Sequence, residues 1–314
     1  MPSITRVSPG FAAGFTLPLN LLQGGGVLTT GKTFYVDSVL GSNSNSGRRS
    51  TAAVATLDYA IGLCTANKGD VIFLMPGHTE AVTSTNTAID VAGVTIIGLG
   101  SGASKPTFTF AVASSRFNVT ASNCVFQNIR LEAAVGDVVT AVLHATAAKN
   151  TKYLDIEFFA TSTFNFINCY TLGAANISDG CRWERNYLRT ADAGQLAFAI
   201  TGAAHNDLKF YDNYVVHAAA QAGLLTGAAV DFLGLDVRGN FVQTGQSSGD
   251  GGVLVQTSST ASSGSIVAND MKTADAAANT AIPIASKVYA AKNYIAGTDE
   301  VGTVIAVGTL FDNT

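Results

Sequence analysis

Residues 208–216 read LKFYDNYVV, a stretch in which apolar and polar side chains alternate up to one asparagine before an aromatic residue follows. Nearly the same phrase occurs earlier as RWERNYL and later as DVRGNFV, IVANDM and AAKNYI. The asparagines of this series recur at a nearly constant interval and are Asn186, Asn213, Asn240, Asn269 and Asn293. Self-similarity at a period of roughly 20–50 residues indicates a solenoid, because a unit of this size cannot bury its own apolar face without a stacked neighbour.

Three earlier phrases extend the period towards the N-terminus. Continuing backward at nearly the same interval, we place Glu157 of DIEFF in register with Asn186, Asn128 of VFQNIR one unit before Glu157, and Gly98 of TIIGLG one unit before Asn128. The marker residue is then Asn or Gly in seven of eight phrases, and these residue types adopt left-handed backbone angles most readily. We therefore expect the marker itself to turn the corner of each coil.

The pattern within each repeat favours strands over helices. Short apolar runs such as LAFAI, at residues 196–200, are separated by Gly, Ser, Asn and Asp, which is typical of several short strands per repeat. The sequence thus predicts an all-β fold, a single-stranded parallel β-helix. Equivalent residues of stacked coils lie about 4.8 Å apart, so the asparagines should form a file of amide-to-amide hydrogen bonds.

The composition excludes two classes of partner. Charged residues make up 13% of the chain, about half of the ~25% that is usual for a globular domain. With a formal net charge of -4 and scattered Lys and Arg, the chain lacks the basic surface that nucleic acid requires. No apolar run approaches the roughly 18 residues of a membrane helix. We predict a soluble protein with no nucleic-acid partner and no membrane partner.

The cysteines and the N-terminus bear on the compartment of synthesis. The cysteines show no metal-binding spacing and are predicted to be buried free thiols, at Cys64, Cys124, Cys169 and Cys181. Pro and Gly interrupt the apolar residues of the first 22 positions, so these positions do not form a convincing secretion signal. We expect synthesis in a reducing cytoplasm.

Three segments are predicted along the chain. Residues 1–31 are broken by Gly and Pro and should form an extended arm, and residues 32–300 should form the β-helix. Within the latter, VATLDYAIGLCT places apolar side chains at helical spacing, which predicts a capping helix near residues 54–65. Such a helix would cover the open strand edges at one end of the solenoid. Residues 301–314 are assigned to a terminal strand or tail.

The first coil carries a resemblance to a known superfamily. FYVDSVLGSNSNSG at residues 34–47, ATLDYAIGLC at 55–64 and GDVIFLMPGHTE at 69–80 resemble the opening of right-handed parallel β-helix proteins of the pectate-lyase-like superfamily, in particular phage-encoded members. The resemblance implies a right-handed β-helix and, as in many virion members, a homotrimer. The chain has Asn43 and Ser46 where acidic residues are common in this turn, so we expect no metal there.

Asp155 and Glu184 are the candidate catalytic residues. We place them on adjacent rungs of one outward column, about 5 Å apart, which is close to the separation in a retaining glycosidase. Basic residues lie beside them at Arg182, Lys209 and Arg238, and opposite charges on neighbouring strands commonly stabilise a sheet face. Structural pairing is the preferred interpretation, so no catalytic residue, metal site or cofactor is assigned. The histidines, expected at surface or turn positions, are His78, His144, His205 and His217.

The N-terminal arm is the candidate partner-binding segment. Left in water its apolar side chains would form a patch of the kind that marks interaction sites. We predict that the arm docks on a partner or a neighbouring subunit, and the alternative is an arm folded back on its own coil. The apolar residues are Phe11, Phe15, Leu17, Leu19, Leu21 and Leu22.

These observations favour a non-enzymatic structural protein of a phage virion. We expect a trimer that decorates or cements the capsid, attached through its arm to the major capsid protein or another virion protein. The alternative is a tailspike-like protein that binds or cleaves a host surface polysaccharide through the outward column around Asp155, Glu184 and Tyr211. A glycan is therefore a further possible partner.

Overall fold

The computed structural model of the chain describes residues 29–83, 87–189, 196–217, 224–226, 230–244, 255–256, 261–272, 287–296 and 303–305. Among these residues one α-helix, α1 (Leu57–Gly62), and two 3-10 helices, Ser50–Ala52 and Gly102–Ser104, accompany the strands. The strands are β1 (Thr33–Val36), β2 (Val71–Leu74), β3 (Thr79–Val82), β4 (Thr87–Ile89), β5 (Thr95–Gly98), β6 (Thr107–Phe110), β7 (Phe117–Val119), β8 (Val125–Gln127), β9 (Arg130–Ala133), β10 (Asp137–His144), β11 (Lys152–Leu154), β12 (Glu157–Phe159), β13 (Asn165–Leu172), β14 (Arg182–Glu184), β15 (Tyr187–Arg189), β16 (Leu196–Ile200), β17 (Ala204–Asn206), β18 (Lys209–Tyr211), β19 (Tyr214–His217), β20 (Leu225–Thr226), β21 (Asp231–Leu233), β22 (Leu235–Arg238), β23 (Phe241–Thr244), β24 (Val255–Gln256), β25 (Ser263–Val267), β26 (Asp270–Lys272), β27 (Lys287–Ala291), β28 (Asn293–Ala296) and β29 (Thr303–Ile305).

These strands stack into three long sheets that run along one axis. The first sheet has the order β1-β2-β5-β8-β11-β14-β18-β22-β25-β27, the second β24-β20-β16-β13-β10-β7-β4, and the third β29-β28-β26-β23-β19-β15-β12-β9-β6-β3. A short additional sheet pairs β17 with β21. Every strand pairing among the described residues is parallel except that of β28 with β29, which is antiparallel. The predicted right-handed parallel β-helix is confirmed.

Aromatic side chains fill the interior of the coils in stacked columns. The ring of Trp183 lies 4.8 Å from that of Phe210 and 5.7 Å from that of Tyr153, measured between centroids, and the planes are within 10° of parallel. Burial of each such side chain contributes about 2–3 kcal/mol to the free energy of folding. Trp183 is fully buried, and three of the predicted buried free thiols are confirmed, Cys124, Cys169 and Cys181.

The asparagines of the repeated phrase lie in one buried file, which confirms the central prediction from the sequence. Nδ2 of Asn186 donates to Oδ1 of Asn213 at 3.0 Å, and Nδ2 of Asn213 donates to Oδ1 of Asn240 at 2.9 Å. The next two bonds, to Asn269 and Asn293, measure 2.8 and 2.9 Å. The backbone N–H groups of Asn186, Asn213, Asn240 and Asn269 donate to the same Oδ1 atoms. Each amide is thereby satisfied in the apolar interior.

The assignment of Glu157 to this file is wrong by one residue. Glu157 is the register partner of Tyr187, and Ile156 therefore lies under Asn186. The N–H of Ile156 donates to Oδ1 of Asn186 at 2.9 Å, which closes the lower end of the file. A buried isoleucine occupies the position that asparagine has in the later coils, so the repeated sequence pattern lacks its asparagine in this coil.

The markers proposed for the two earlier coils are displaced for the same reason. Gln127 pairs with Leu154, and Arg130 pairs with Glu157, so Ile129 occupies the buried position in that coil. Asn128 instead turns the corner with a φ of 56° and bonds through Nδ2 to the carbonyl of Gly98 at 2.8 Å. Neither Asn128 nor Gly98 belongs to the amide file.

The left-handed corner also lies one residue before the asparagine and not on it. Asp212 has a φ of 52°, Gly239 of 67° and Arg185 of 53°, each immediately before an asparagine of the file. The same conformation occurs at Ala268 and Lys292. The asparagine has a different role, because its side chain must point into the coil to reach its neighbours. The expectation that the marker turns the corner is therefore wrong for the asparagines of the file, although Asn128 does turn it.

The capping helix is shorter than the predicted residues 54–65. Val54 lies outside α1 because its backbone bridges to Val36 and bonds to Tyr35 in the first coil. The hydroxyl of Thr56 accepts the N–H of Tyr59 at 3.4 Å and begins the helix. α1 packs against β1, β2 and β4, while Cys64 beyond its end is half-buried. Within the described part of the chain, no helix has the length and apolar character needed to span a membrane.

Three of the four histidines are buried, so their predicted surface positions are wrong, although His78 does end a turn, where its N–H donates to the carbonyl of Met75. The side chain of His217 lies outside the described residues, and the buried histidines are His78, His144 and His205. His144 bonds through Nδ1 to Ser178 Oγ and through Nε2 to Tyr153 Oη, both at 2.7 Å. Complete burial, and secondarily the proximity of His205, lowers the pKa of His144 from 6.5 to about 3.

Replacement of Asn213 by alanine should strongly destabilise the fold. The change removes bonds to both neighbouring asparagines and the bond from Nδ2 to the carbonyl of Trp183. Because the remaining groups stay buried without partners, we expect a loss of about 3 kcal/mol or more in the free energy of unfolding. Denaturation in guanidinium chloride measures this loss. The control Asn206→Ala removes solvent-exposed side-chain bonds to Asn176 and Asp179, and it should cost less than Asn213→Ala because water can replace these partners.

Acid should destabilise the protein through His144. The unfolded chain protonates this residue near pH 6.5, whereas the folded chain resists protonation down to about pH 3. The contribution of His144 is therefore present above pH 6.5 and falls by about 1.4 kcal/mol per pH unit below it. Unfolding free energies at pH 7, 6 and 5 measure the slope. His144→Gln should flatten it over this range, and an unchanged slope would show that other groups cause the acid sensitivity.

Candidate binding groove

The outer face of the first sheet carries two columns of polar and charged side chains. Lys152, Arg182 and Lys209 are register partners in one column, and Leu154, Glu184 and Tyr211 are partners in the other. The next rung adds Asp236 and Arg238. Because alternate residues of a strand point outward, the side chains of these columns lie side by side on the surface. Opposite charges are consequently within reach of each other.

Tyr211 is the centre of one cluster on this face. Its ring lies between the guanidinium groups of Arg182 and Arg238, at 4.8 and 4.4 Å from the ring centroid. Its hydroxyl donates to Oδ2 of Asp236 at 2.7 Å. Burial and this hydrogen bond raise the pKa of Tyr211. Burial alone would raise the pKa of Asp236, but hydrogen bonds from Tyr211, Arg238 and Ser265 outweigh it and lower that pKa.

Asp155 and Glu184 are connected, but not as the sequence predicted. Glu184 is the register partner of Leu154, so Asp155 lies one residue further along, at a left-handed corner with a φ of 57°. Arg185 contacts both carboxylates. Its Nε and Nη2 donate to the two oxygens of Asp155 at 2.9 and 3.1 Å, and its Nη1 pairs with Glu184, which also pairs with Arg182. The two carboxylates are thus joined by one guanidinium.

A groove of about 450 Å³ opens beside this network, where the first sheet turns into the third. Its lining residues come from separate coils and are Lys105, Asp155, Ile156, Glu157, Arg185 and Tyr187. Nζ of Lys105 donates to the backbone carbonyl of Asp155 at 3.0 Å and lies 3.6 Å from Oε2 of Glu157. Burial lowers the pKa of Lys105, although the nearby Glu157 opposes this effect. Arg130 also pairs with Glu157, at 3.1 Å.

An aromatic stack begins at the upper wall of the groove. On the outer face of the third sheet, Tyr187 lies over Tyr214 at 5.4 Å between centroids, and Tyr214 lies over Phe241 at 4.7 Å. The interplanar angles are 12° and 14°, so the rings cover one another's faces and present their edges to solvent. Tyr187 is the lowest ring, and its second face is directed towards the rung of Glu157.

No metal site emerges from the described residues, among which no group of three or more His, Cys, Asp or Glu side chains is placed to hold an ion. In the turn of the first coil, Oδ1 of Asn43 accepts the N–H of Ala55 at 2.9 Å and its Nδ2 donates to Thr56 Oγ1 at 3.2 Å. The amide therefore fixes the turn. The arm residues Phe11, Phe15, Leu17, Leu19, Leu21 and Leu22 lie outside the described residues.

The sequence identified Asp155 but missed the residues around it. Arg185 stands in RWERNYL at the position that Asp212 occupies in the later phrase, and an arginine at a corner position is an available signal for a special role. Glu157 was placed at the corner as a marker, whereas it begins β12 and is the register partner of Tyr187. Lys105 lies 50 residues before Asp155 in a loop, and no local pattern connects the two.

Comparison with known proteins supports the fold. No protein-family model matches the chain, and no curated protein sequence matches it. The solved structure of pectate lyase Pel9A is similar with a TM-score of 0.53 and 12% identity, over 91% of this chain and 82% of that chain. Pectin methylesterase from Aspergillus niger gives a TM-score of 0.46 and 13% identity, over 88% of each chain. The chain is a right-handed parallel β-helix protein, and its likeness to the pectate lyase extends to the fold alone.

Relief of the left-handed strain should separate backbone and ion-pair effects. We expect Ala268→Asn to raise the free energy of unfolding by about 1 kcal/mol, because asparagine tolerates the left-handed conformation of this exposed corner better than alanine. Arg185→Asn gains the same relief but loses the pairs with Asp155 and Glu184, so its gain should be smaller by about 0.5–1 kcal/mol. Chemical denaturation of both variants provides the comparison. Equal gains would show that the ion pairs contribute nothing to stability.

Proposed function

We propose that this protein is a non-enzymatic structural component of a virus particle, a trimeric decoration or cement protein of the capsid. The observation that carries the proposal is the state of the outer carboxylates. Asp155, Glu157, Glu184 and Asp236 are each engaged by arginine or lysine side chains. Ion pairs between neighbouring strands stabilise the outer face of a sheet. Each of these four carboxylates is already paired, so none is free to act on a substrate.

The chemistry of glycan cleavage makes demands that this arrangement does not favour. A glycosidase needs one carboxyl group to donate a proton and a second to attack or to activate water, with the sugar between them. Here the guanidinium of Arg185 occupies the space between Asp155 and Glu184. Substrate oxygens would have to displace charge-assisted hydrogen bonds before either carboxylate could react.

The mechanical character of the fold suits a scaffold. The amide file fixes the rise of each coil, and parallel pairing continues through ten strands of the first sheet. α1 packs against the first coils, and the antiparallel strand β29 pairs with β28 at the far end of the third sheet. Covered ends oppose edge-to-edge pairing. This favours a discrete ornament over an open filament.

The partners and location follow the same proposal. Three copies would associate along their long axes, and the arm would attach each copy to the major capsid protein or to another virion protein. The protein would be made in the host cytoplasm and would then join the particle. The resemblance of the first coil to phage-encoded β-helix proteins supports this part, together with the apolar composition of the arm.

Deletion of residues 1–25 should abolish attachment to the particle and leave the β-helix intact, because β1, the first described strand of the solenoid, begins at Thr33. Cosedimentation with particles assembled without the protein measures attachment, and far-UV circular dichroism and native mass measure the fold and the trimer. A matched full-length variant carries serine at Phe11, Phe15, Leu17, Leu19, Leu21 and Leu22. It should fail to attach as well, and attachment of either variant at the wild-type level would refute the role of the arm.

Glycan binding is the second candidate function. The groove lined by Tyr187 favours it, because an aromatic side chain beside hydrogen-bonding groups is typical of ligand sites. This function resembles that of a tailspike in binding but does not require cleavage. It is also compatible with a capsid location, since a decoration protein can present such a groove to the host surface.

A further inference from the structure

An apolar stripe runs across the outer face of the first sheet. In β1, β2, β5, β8 and β11 the inward positions are register partners and are all buried, at Phe34, Ile72, Ile96, Phe126 and Tyr153. The residues on either side of these positions point outward, because successive side chains of a strand alternate between its faces. The stripe consists of the half-buried apolar side chains at outward positions, which are Tyr35, Phe73, Ile97, Val125 and Leu154.

The stripe differs in charge from the surfaces around it. The outward positions of β1, β2, β5 and β8 carry no charged residue, and charges begin on the next strands with Lys152 and Arg182. In the same coils the outer face of the third sheet carries Arg130 and Glu157 as register partners. An apolar surface that is bordered by polar residues marks an interaction site. The stripe is therefore a candidate surface for a covering partner.

The arm contains a segment with a matching pattern. Residues 15–21 read FTLPLNL, in which Phe15, Leu17, Leu19 and Leu21 alternate with a threonine, a proline and an asparagine. Pro18 disfavours a helix here and restricts the residue before it to extended backbone angles. In an extended chain alternate side chains point to one side. The four apolar side chains would then form one continuous face.

The dimensions of the stripe fit an extended segment better than a second solenoid. From Tyr35 to Leu154 the stripe crosses four steps between neighbouring strands, which is about 19 Å. The six residue steps from Phe15 to Leu21 span about 20 Å when extended. The stripe is one to two residues wide and offers roughly 200 Å² at this strand spacing. A stable subunit interface needs about 800 Å² from each partner.

The arm of the same copy can reach the stripe. The hydroxyl of Thr29 donates to the carbonyl of Gly69, and the N–H of Lys32 donates to Oδ1 of Asp70 at 2.6 Å, so the chain enters β1 beside the start of β2. Seven residues separate Leu21 from Thr29, and they can span at most about 26 Å. Three consecutive glycines at 24–26 permit the chain to reverse its direction, because glycine adopts either sign of φ.

We propose that in the free protein residues 15–21 lie along the apolar stripe of the same copy, with the apolar face of this segment packed against the outward side chains of the first five strands. The occupant is this segment because its length, its alternation and its attachment beside β1 all match the stripe. The inference goes beyond the proposed function, since it states where the arm lies before the protein meets a particle. Attachment to the particle would then displace the arm from the stripe.

Photo-cross-linking of the full chain tests the contact. Benzoylphenylalanine is incorporated in place of Leu17, and the free protein is irradiated in solution. We expect cross-links within one chain, which mass spectrometry should map to β1, β2, β5, β8 or β11. The cross-linked product should keep the mass of a single chain under denaturing conditions.

Matched lysine variants locate the surface. Ile97→Lys places an ammonium group in the middle of the stripe and should displace the segment, because the charge would otherwise be buried against apolar side chains. We expect the cross-link yield to fall about tenfold and chymotrypsin to cleave after Phe15 about tenfold faster. The control Thr109→Lys adds the same charge at an outward position of β6 in the same coil, and it should behave as wild type. Circular dichroism confirms that each variant is folded.

Four results would overturn the proposal. These are the absence of cross-links, cross-links that map only to other strands, cross-links that join two chains, and wild-type behaviour of Ile97→Lys in both measurements. Attachment is measured separately by cosedimentation with particles. An arm that attaches but does not occupy the stripe would refute this inference alone, and an arm that occupies the stripe but does not attach would refute the attachment role alone.

Discussion

The structure depends on one constraint, which is that a buried amide must find hydrogen-bond partners. A primary amide left unpaired in an apolar interior costs about 1–3 kcal/mol. In this chain the partners of Asn213 are the asparagines one coil below and one coil above, together with the carbonyl of Trp183. Any slip of a coil by one residue would break all of these bonds at once. The file therefore fixes the register of every strand that leads into it or away from it.

The same constraint shapes the outer surface. Each residue that directly follows an asparagine of the file lies in register with its equivalents in the neighbouring coils. Tyr187, Tyr214 and Phe241 occupy this position, so the pairing of the strands places their rings in a stack. Below Asn186 the file ends, and Ile156 takes the buried corner. The outer column changes at this same rung from aromatic to charged residues. The groove lies at this boundary, with Ile156 in its floor, because the ring above and the ion pairs below do not fill the same volume.

The sequence predicted the architecture because the amide file requires an asparagine in each coil, at a nearly constant interval along the chain. The register predicted for the earlier coils was wrong because isoleucine, at Ile129 and Ile156, replaces the asparagine at the buried corner, and a neighbouring polar residue was assigned as the marker. A second signal is the spacing of Asn, Asp and Gly residues with positive φ, which stand five apart around β8, β11, β18 and β22, in the pairs Asn123 and Asn128, Asn150 and Asp155, Asp207 and Asp212, and Gly234 and Gly239. The groove had no such signal, because Lys105 joins it from a loop two coils away.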